Sequence, residues 1–181
     1  MEHMHQVMSE AECLFNETDL QRAIARMAEV MSVQLHDRYP VFLSVMNGGL
    51  IFAGQLLPKL SFLLETDYIH ATRYQGATTG GAIHWKAEPT TSLAGRTVVI
   101  VDDILDQGST LVALRDYCLQ KGAADVQIAV LVEKLHDRKF DPNLKADYVG
   151  VQAQDRYLFG YGMDYKGYWR NAPGIYAVKG L

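Results

Sequence analysis

The residues with the clearest chemical content in this 181-residue chain form one run: Val98-Val-Ile-Val-Asp102-Asp103-Ile-Leu-Asp106-Gln107-Gly108-Ser109-Thr110-Leu111. An apolar stretch delivers two adjacent acids, then a third, then a small-residue loop that opens a helix. Backbone N–H groups at a helix start, in a loop with glycine, make a socket for a phosphate. Gly108 lets the backbone come close, and Ser109 and Thr110 add hydroxyl donors. The paired acids Asp102 and Asp103 would repel a phosphate. They suit sugar hydroxyls, or Mg²⁺ held with its waters. Asp106 stands between the two functions, where it could accept a proton from a reacting group.

These residues need elements to position them. Thr97–Val101 reads as a buried strand, and Ser109 is placed to cap a helix with Leu111, Leu114 and Cys118 on one face, closed by Gly122. Val126–Val132 is another apolar strand. Strand, helix, strand at this spacing is a βαβ unit, so the central sheet should be mostly parallel. Ligands on such sheets sit beyond the carboxyl ends of the strands, which points at residues 102–110. Upstream, Thr18-Asp-Leu-Gln21 reads as a capping box, followed by Leu20, Ile24, Met27 and Met31 at helical spacing to about Asp37. Val41–Met46 and Phe62–Ala71 read as strands around a tight Asn47-Gly48-Gly49 turn and a helix over 50–60. Residues 73–91 are long, polar and glycine-bearing, the pattern of a lid or of a surface hairpin. Short strands follow at 148–151, 158–161 and 175–178.

Composition narrows the function. The formal charge is −4, with 17 basic and 21 acidic residues, the wrong sign for a basic nucleic-acid binder. Cys13 and Cys118 are far apart and fit neither a disulfide scaffold nor a CxxC site. The six histidines lack HExxH or paired ligand spacing, which argues against zinc, and His3 and His5 read as tail residues. No serine sits in a GxSxG elbow. The N-terminus has no apolar core for a signal peptide and no stretch is long enough to span a bilayer, so the reading is cytoplasmic. Plainer readings of the acidic segment exist. A strand-end acid pair also occurs in receiver domains, but near the domain start rather than leading into Asp-Gln-Gly-Ser-Thr. Asp106 as a simple turn carboxylate competes with Ser109 for the cap.

The segment resembles the phosphoribosyl pyrophosphate signature of the type I phosphoribosyltransferases, and further segments resemble the hypoxanthine-guanine branch of that family, in order, over roughly residues 40–178. Val45-Met-Asn47-Gly48-Gly49 looks like its pyrophosphate loop. Asp67-Tyr-Ile-His-Ala-Thr-Arg73-Tyr74 looks like the start of its flexible loop. Leu131-Val-Glu-Lys134 matches the strand end whose lysine meets the purine 6-oxo group. Asp155-Arg-Tyr157-Leu158-Phe-Gly-Tyr-Gly-Met-Asp164 resembles the purine-stacking segment and its metal-associated aspartate, and Arg170 falls at a pyrophosphate-binding arginine. Two positions depart from the pattern. Asn47 stands where a lysine is usual, and Arg73 where a serine precedes the tyrosine. Arg73 would supply some of the missing charge. The family often has a non-proline cis peptide in the pyrophosphate loop, which in this sequence would fall at Met46–Asn47.

The resemblance implies an α/β fold of the type I phosphoribosyltransferase kind, a mostly parallel sheet flanked by helices, with a small hood of terminal segments. The chain would be one domain, with a core over about 38–135 and a hood from about 1–37 and 140–181. It implies transfer of a phosphoribosyl group from phosphoribosyl pyrophosphate to a 6-oxopurine, with Mg²⁺, in a homodimer or homotetramer. Asp106 would be the catalytic acid–base group. Asp102, Asp103, Gln107, Gly108, Ser109 and Thr110 would hold the phosphoribosyl moiety. Asn47, Gly48, Arg73, Tyr74 and Arg170 would hold the pyrophosphate. Lys134, Tyr157 and Leu158 would hold the purine, and Asp102, Asp103 and Asp164 would serve the metal. Two rivals are a same-fold enzyme for xanthine or adenine, and a nucleotide-sensing regulator of this fold. A basic surface patch would favour the regulator, and the acidic total and intact Asp106 oppose it.

Overall fold

The computed structural model describes residues 2–73 and 83–180. The site is built on one sheet. Its strands are β2 (Val41–Val45), β3 (Glu65–Arg73), β4 (Ile83–Ala87), β5 (Thr97–Leu105), β6 (Asp125–Leu135) and β7 (Tyr148–Gln154), in spatial order β4-β3-β2-β5-β6-β7. All neighbours are parallel except β4, which runs antiparallel to β3. β5 sits between β2 and β6, with Val41 opposite Val98 and Val98 opposite Val126. The carboxyl ends of β2, β3, β5, β6 and β7 therefore share one edge.

Alternation along the strands divides the core in two. Phe42, Val99, Val101, Ala129 and Leu131 face one side, under α2 (Glu17–Leu35) and α3 (Gly49–Leu56). Val41, Leu43, Val98, Ile100, Ile128 and Val130 face the other, against Leu111, Leu114 and Cys118 of α4 (Ser109–Gln120). Both faces are covered, which is why β2 is buried along its whole length. A second, antiparallel sheet joins terminal segments: β1 (Glu12–Phe15), β9 (Ile175–Ala177) and β8 (Leu158–Phe159). Of the elements in the terminal stretches, α2 packs on the main sheet and β7 is one of its edge strands.

Local signals shifted in three places. The capping box of α2 is Asn16 with Asp19, not Thr18 with Gln21: the Asn16 side chain accepts from the Asp19 amide at 3.0 Å, and Asp19 accepts from the Asn16 amide at 3.2 Å. Asparagine is among the strongest N-caps, and an acid three residues on completes the box. Ser109 does not cap α4. Gly108 takes the cap position with φ +77° and no side-chain hydrogen bond, so Ser109 is the first helical residue. The N-terminus is not a tail. Glu2–Glu10 forms α1, where His3 Nε2 lies 3.3 Å from the Tyr165 hydroxyl, His5 meets Trp169 edge to face, and Trp169 Nε1 donates to the Met4 carbonyl at 2.8 Å.

Where β3 meets the segment after β4, the Asp67 carboxylate accepts from the amides of Tyr68, Thr90 and Thr91, at 2.7 to 2.8 Å, and from the Thr90 hydroxyl. Residues 74–82 and the tip of the expected lid lie outside the described residues. Among the described residues, no helix is long and apolar enough to cross a membrane.

Candidate active site

Two cavities adjoin at the carboxyl edge of the sheet. One, of about 360 Å³, is lined by Asp102, Asp103, Ile104, Asp106 and residues 107–111. The other, of about 300 Å³, is lined by Asp103, Ile104, Asp106, Lys134, Tyr157, Leu158, Met163 and Asp164. They share Asp103, Ile104 and Asp106. The first is a helix start bordered by acids. The second is a small chamber with an aromatic, a buried lysine and apolar walls.

The first cavity follows from the sequence of the β5–α4 turn. β5 is apolar from Val98 through Val101, and its last four residues begin with the two buried acids. Gly108 sits in the left-handed region, where a Cβ would also come 2.3 Å from Leu144 Cδ2 and 2.7 Å from Leu105 Cδ1. The left-handed φ favours glycine strongly, and the first amides of α4, which has no side-chain cap, belong to residues that line the cavity.

Asp102 and Asp103 are buried, at 9% and 8% exposure. Burial, with the Asp103 charge beside it, pushes the Asp102 carboxyl well above its usual range. Burial pushes Asp103 up as well, and the Arg170 guanidinium opposes the shift in both. The Asp103 amide donates to Asp102 Oδ1 at 2.9 Å. A desolvated all-oxygen pair with suppressed ionisation fits Mg²⁺, because the cation's charge would favour the ionised form.

The β2–α3 turn closes against this pair. The Met46–Asn47 peptide is cis, at the place where the family's cis bond would fall. A Cβ on Gly48 would lie 2.2 Å from an Asp103 carboxylate oxygen, so the backbone passes directly over the acid. Gly162 approaches from the other side, packed on the Gly48 carbonyl. Arg170 donates to the Gly162 carbonyl at 2.6 Å and to Asp164 Oδ1 at 2.5 Å, and the Gly167 amide donates to Asp164 Oδ2 at 2.7 Å. Asp164 and Arg170 are thus an ion pair beside the site. Asn47 is exposed, and Asn47, Gly48 and Arg170 line neither cavity. Arg73 ends β3, and Tyr74 lies outside the described residues.

In the second cavity, Lys134 is 8% exposed and its ammonium lies 3.1 Å from Asp106 Oδ2 and 3.5 Å from Asp155 Oδ1. Tyr157 is half-exposed and meets Tyr165 edge to face at 5.5 Å, while Leu158 is buried. Three residues without an assigned role complete this group. His136 Nε2 lies 2.7 Å from Asp106 Oδ1, and Arg138 grips both oxygens of Asp155 at 2.8 and 2.7 Å. Histidine spacing along the chain hid this cluster, because its members come from three strand ends. The residue pattern that could have shown it is Lys134-Leu-His136-Asp-Arg138, polar side chains at alternate positions past an apolar strand. One ligand atom each of Asp106, His136 and Asp155 lies within 4.8 Å of the others. Lys134 and Arg138 already neutralise both carboxylates, so this is an ion network.

Known proteins align with this arrangement. The phosphoribosyl transferase domain family matches residues 12–166. The chain is 32% identical over 167 residues to the hypoxanthine-guanine-xanthine phosphoribosyltransferase of Tritrichomonas foetus, covering 92% of this chain and 90% of that one. It is 33% identical over 161 residues to the hypoxanthine-guanine phosphoribosyltransferase of Streptococcus pneumoniae, covering 86% and 88%. Among solved structures, a hypoxanthine-guanine phosphoribosyltransferase of Bacillus anthracis superposes with a TM-score of 0.86 at 30% identity, over 92% of this chain and 98% of that one. A hypoxanthine phosphoribosyltransferase of Staphylococcus aureus gives 0.88 at 25% identity, over 95% and 94%. With a helix-start cavity and a lysine-bearing chamber joined at Asp106, the chain belongs to the phosphoribosyltransferase family, in its hypoxanthine-guanine group.

Proposed function

We propose that the protein transfers the 5-phosphoribosyl group of phosphoribosyl pyrophosphate to hypoxanthine or guanine, giving IMP or GMP and pyrophosphate. The observation that carries this reading is the pair of cavities meeting at Asp103, Ile104 and Asp106. The amides and hydroxyls of residues 107–110 hold the 5′-phosphate. Asp102 and Asp103 take the ribose hydroxyls and the surroundings of Mg²⁺, with Asp164 nearby. Mg²⁺, when bound, neutralises the departing pyrophosphate. Asn47, Gly48 and Arg170, together with Arg73 and Tyr74, serve the pyrophosphate.

Tyr157 stacks on the purine and Leu158 backs it. An ammonium carries three protons. Asp106 and Asp155 accept two from Lys134, which leaves one for the 6-oxo oxygen. Adenine presents a 6-amino donor there and is rejected. As purine N9 attacks the ribose C1, the bond to pyrophosphate breaks and the N7 proton passes to Asp106.

The test is a panel of hypoxanthine, guanine, xanthine and adenine with phosphoribosyl pyrophosphate, run with and without Mg²⁺. Metal-dependent turnover of hypoxanthine and guanine is expected, with adenine about a hundredfold slower or worse. Strong adenine turnover without guanine turnover would overturn the Lys134 assignment. No turnover with any base would overturn the enzyme.

A further inference from the structure

The hydrogen bonds around Asp106 carry one step more. We infer that His136 is the positioning residue for Asp106, a neutral imidazole that fixes the carboxylate by donating from Nε2. This rests on the reading of Asp106 as the proton acceptor.

The backbone decides the tautomer. The Arg138 amide donates to His136 Nδ1 at 3.0 Å. That nitrogen must keep its lone pair, so the ring proton sits on Nε2. Nε2 lies 2.7 Å from Asp106 Oδ1, the short distance of a hydrogen bond to a charged acceptor. The other oxygen, Oδ2, faces Lys134 at 3.1 Å. A carboxylate held at both oxygens cannot rotate.

The two holders differ in what the reaction asks of them. Lys134 is shared with Asp155 and has a task at the base. His136 has no such division: its side chain is 5% exposed, one nitrogen is occupied by the backbone, and the other points at Asp106. Asp106 is 39% exposed, so without His136 its Oδ1 would turn to water. Arg138 is a poor substitute at 3.9 Å, because it is committed to Asp155 at 2.7 Å.

The proton balance is simple. The purine N7 proton moves to a lone pair of Asp106 while pyrophosphate leaves with the C1–O electron pair. His136 keeps its Nε2 proton throughout. It acts on the orientation of the acceptor and touches no reacting atom.

The experiment compares wild type with His136→Ala, His136→Gln and Asp106→Asn. Imidazole ¹⁵N spectra of uniformly labelled wild type should show the Nε2-protonated tautomer at position 136, identified by its loss in His136→Gln. His136→Ala should lose about tenfold in kcat, part of the roughly 10²–10⁴-fold that a positioned base supplies, with KM for phosphoribosyl pyrophosphate unchanged. His136→Gln, whose amide can donate to the same oxygen, should recover most of that loss. An Nδ1-protonated ring would overturn the inference. So would wild-type kcat in His136→Ala, or a folded His136→Gln no faster than the alanine variant. Asp106→Asn separates the two claims. If it is slow while His136→Ala is not, only His136 loses its role. If it is as fast as wild type, the acceptor reading falls and takes this one with it.

Discussion

Asp102 and Asp103 are stabilised poorly by the protein alone. Both carboxyls are buried and held above their ordinary range, chiefly by loss of water. A carboxyl raised in the folded state favours folding only while it carries its proton, and that contribution is lost as ionisation sets in. At neutral pH the unliganded protein therefore bears an ionisation cost at Asp102 that an amide would not. Asp102→Asn should raise the thermal midpoint of the free protein by a few degrees, about 1 kcal/mol, while abolishing the Mg²⁺-dependent turnover. Calorimetry of the two proteins without ligand checks it, and a fall in the midpoint would mean the carboxylate has a structural partner. The site trades stability for binding at these two positions.

The turns at the strand ends set the site's precision. Gly108 is one of them: its φ of +77° strains any other residue, and a side chain there would also have to displace the ends of Leu105 and Leu144. Gly108→Ala should cost about 1–2 kcal/mol from the backbone alone and raise KM for phosphoribosyl pyrophosphate, because the amides of α4 must shift. Chemical denaturation and initial rates would measure both; an unchanged KM would remove these amides from phosphate binding. Asp67 does a comparable task where β3 meets the segment after β4. Burial raises its carboxyl, but the amides of Thr91, Tyr68 and Thr90 outweigh that and hold it below its usual value. A lowered carboxyl stabilises above the unfolded value and loses that contribution as pH falls through the folded one. Asp67→Asn should therefore cost about 1 kcal/mol at pH 7, and the gap from wild type should close below about pH 4. A gap independent of pH would contradict this.

Across the whole molecule, what was legible in the sequence was local. Apolar strands followed by Asp102, Asp103 and Asp106 are contiguous, so the βαβ unit and its ligand edge could be read directly. The helix caps, Asn16 and Gly108, fall one or two residues before the positions the sequence pattern predicts, because several residues nearby could cap and only packing chooses among them. The network of His136, Arg138 and Asp155 leaves only the alternation of Lys134, His136 and Arg138 as a local trace, since parallel pairing of β5, β6 and β7 is what brings three strand ends together. The same long-range pairing puts Lys134 beside Asp106 and opens two cavities on one wall. Soaking a crystal with phosphoribosyl pyrophosphate and Mg²⁺ tests that arrangement most directly. The account predicts the 5′-phosphate on the amides of residues 107–110, the ribose hydroxyls against Asp102 and Asp103, and the sugar's C1 turned toward Asp106 and the Tyr157 chamber. A donor seated with its phosphate away from the start of α4, or its C1 turned from Asp106, would contradict it.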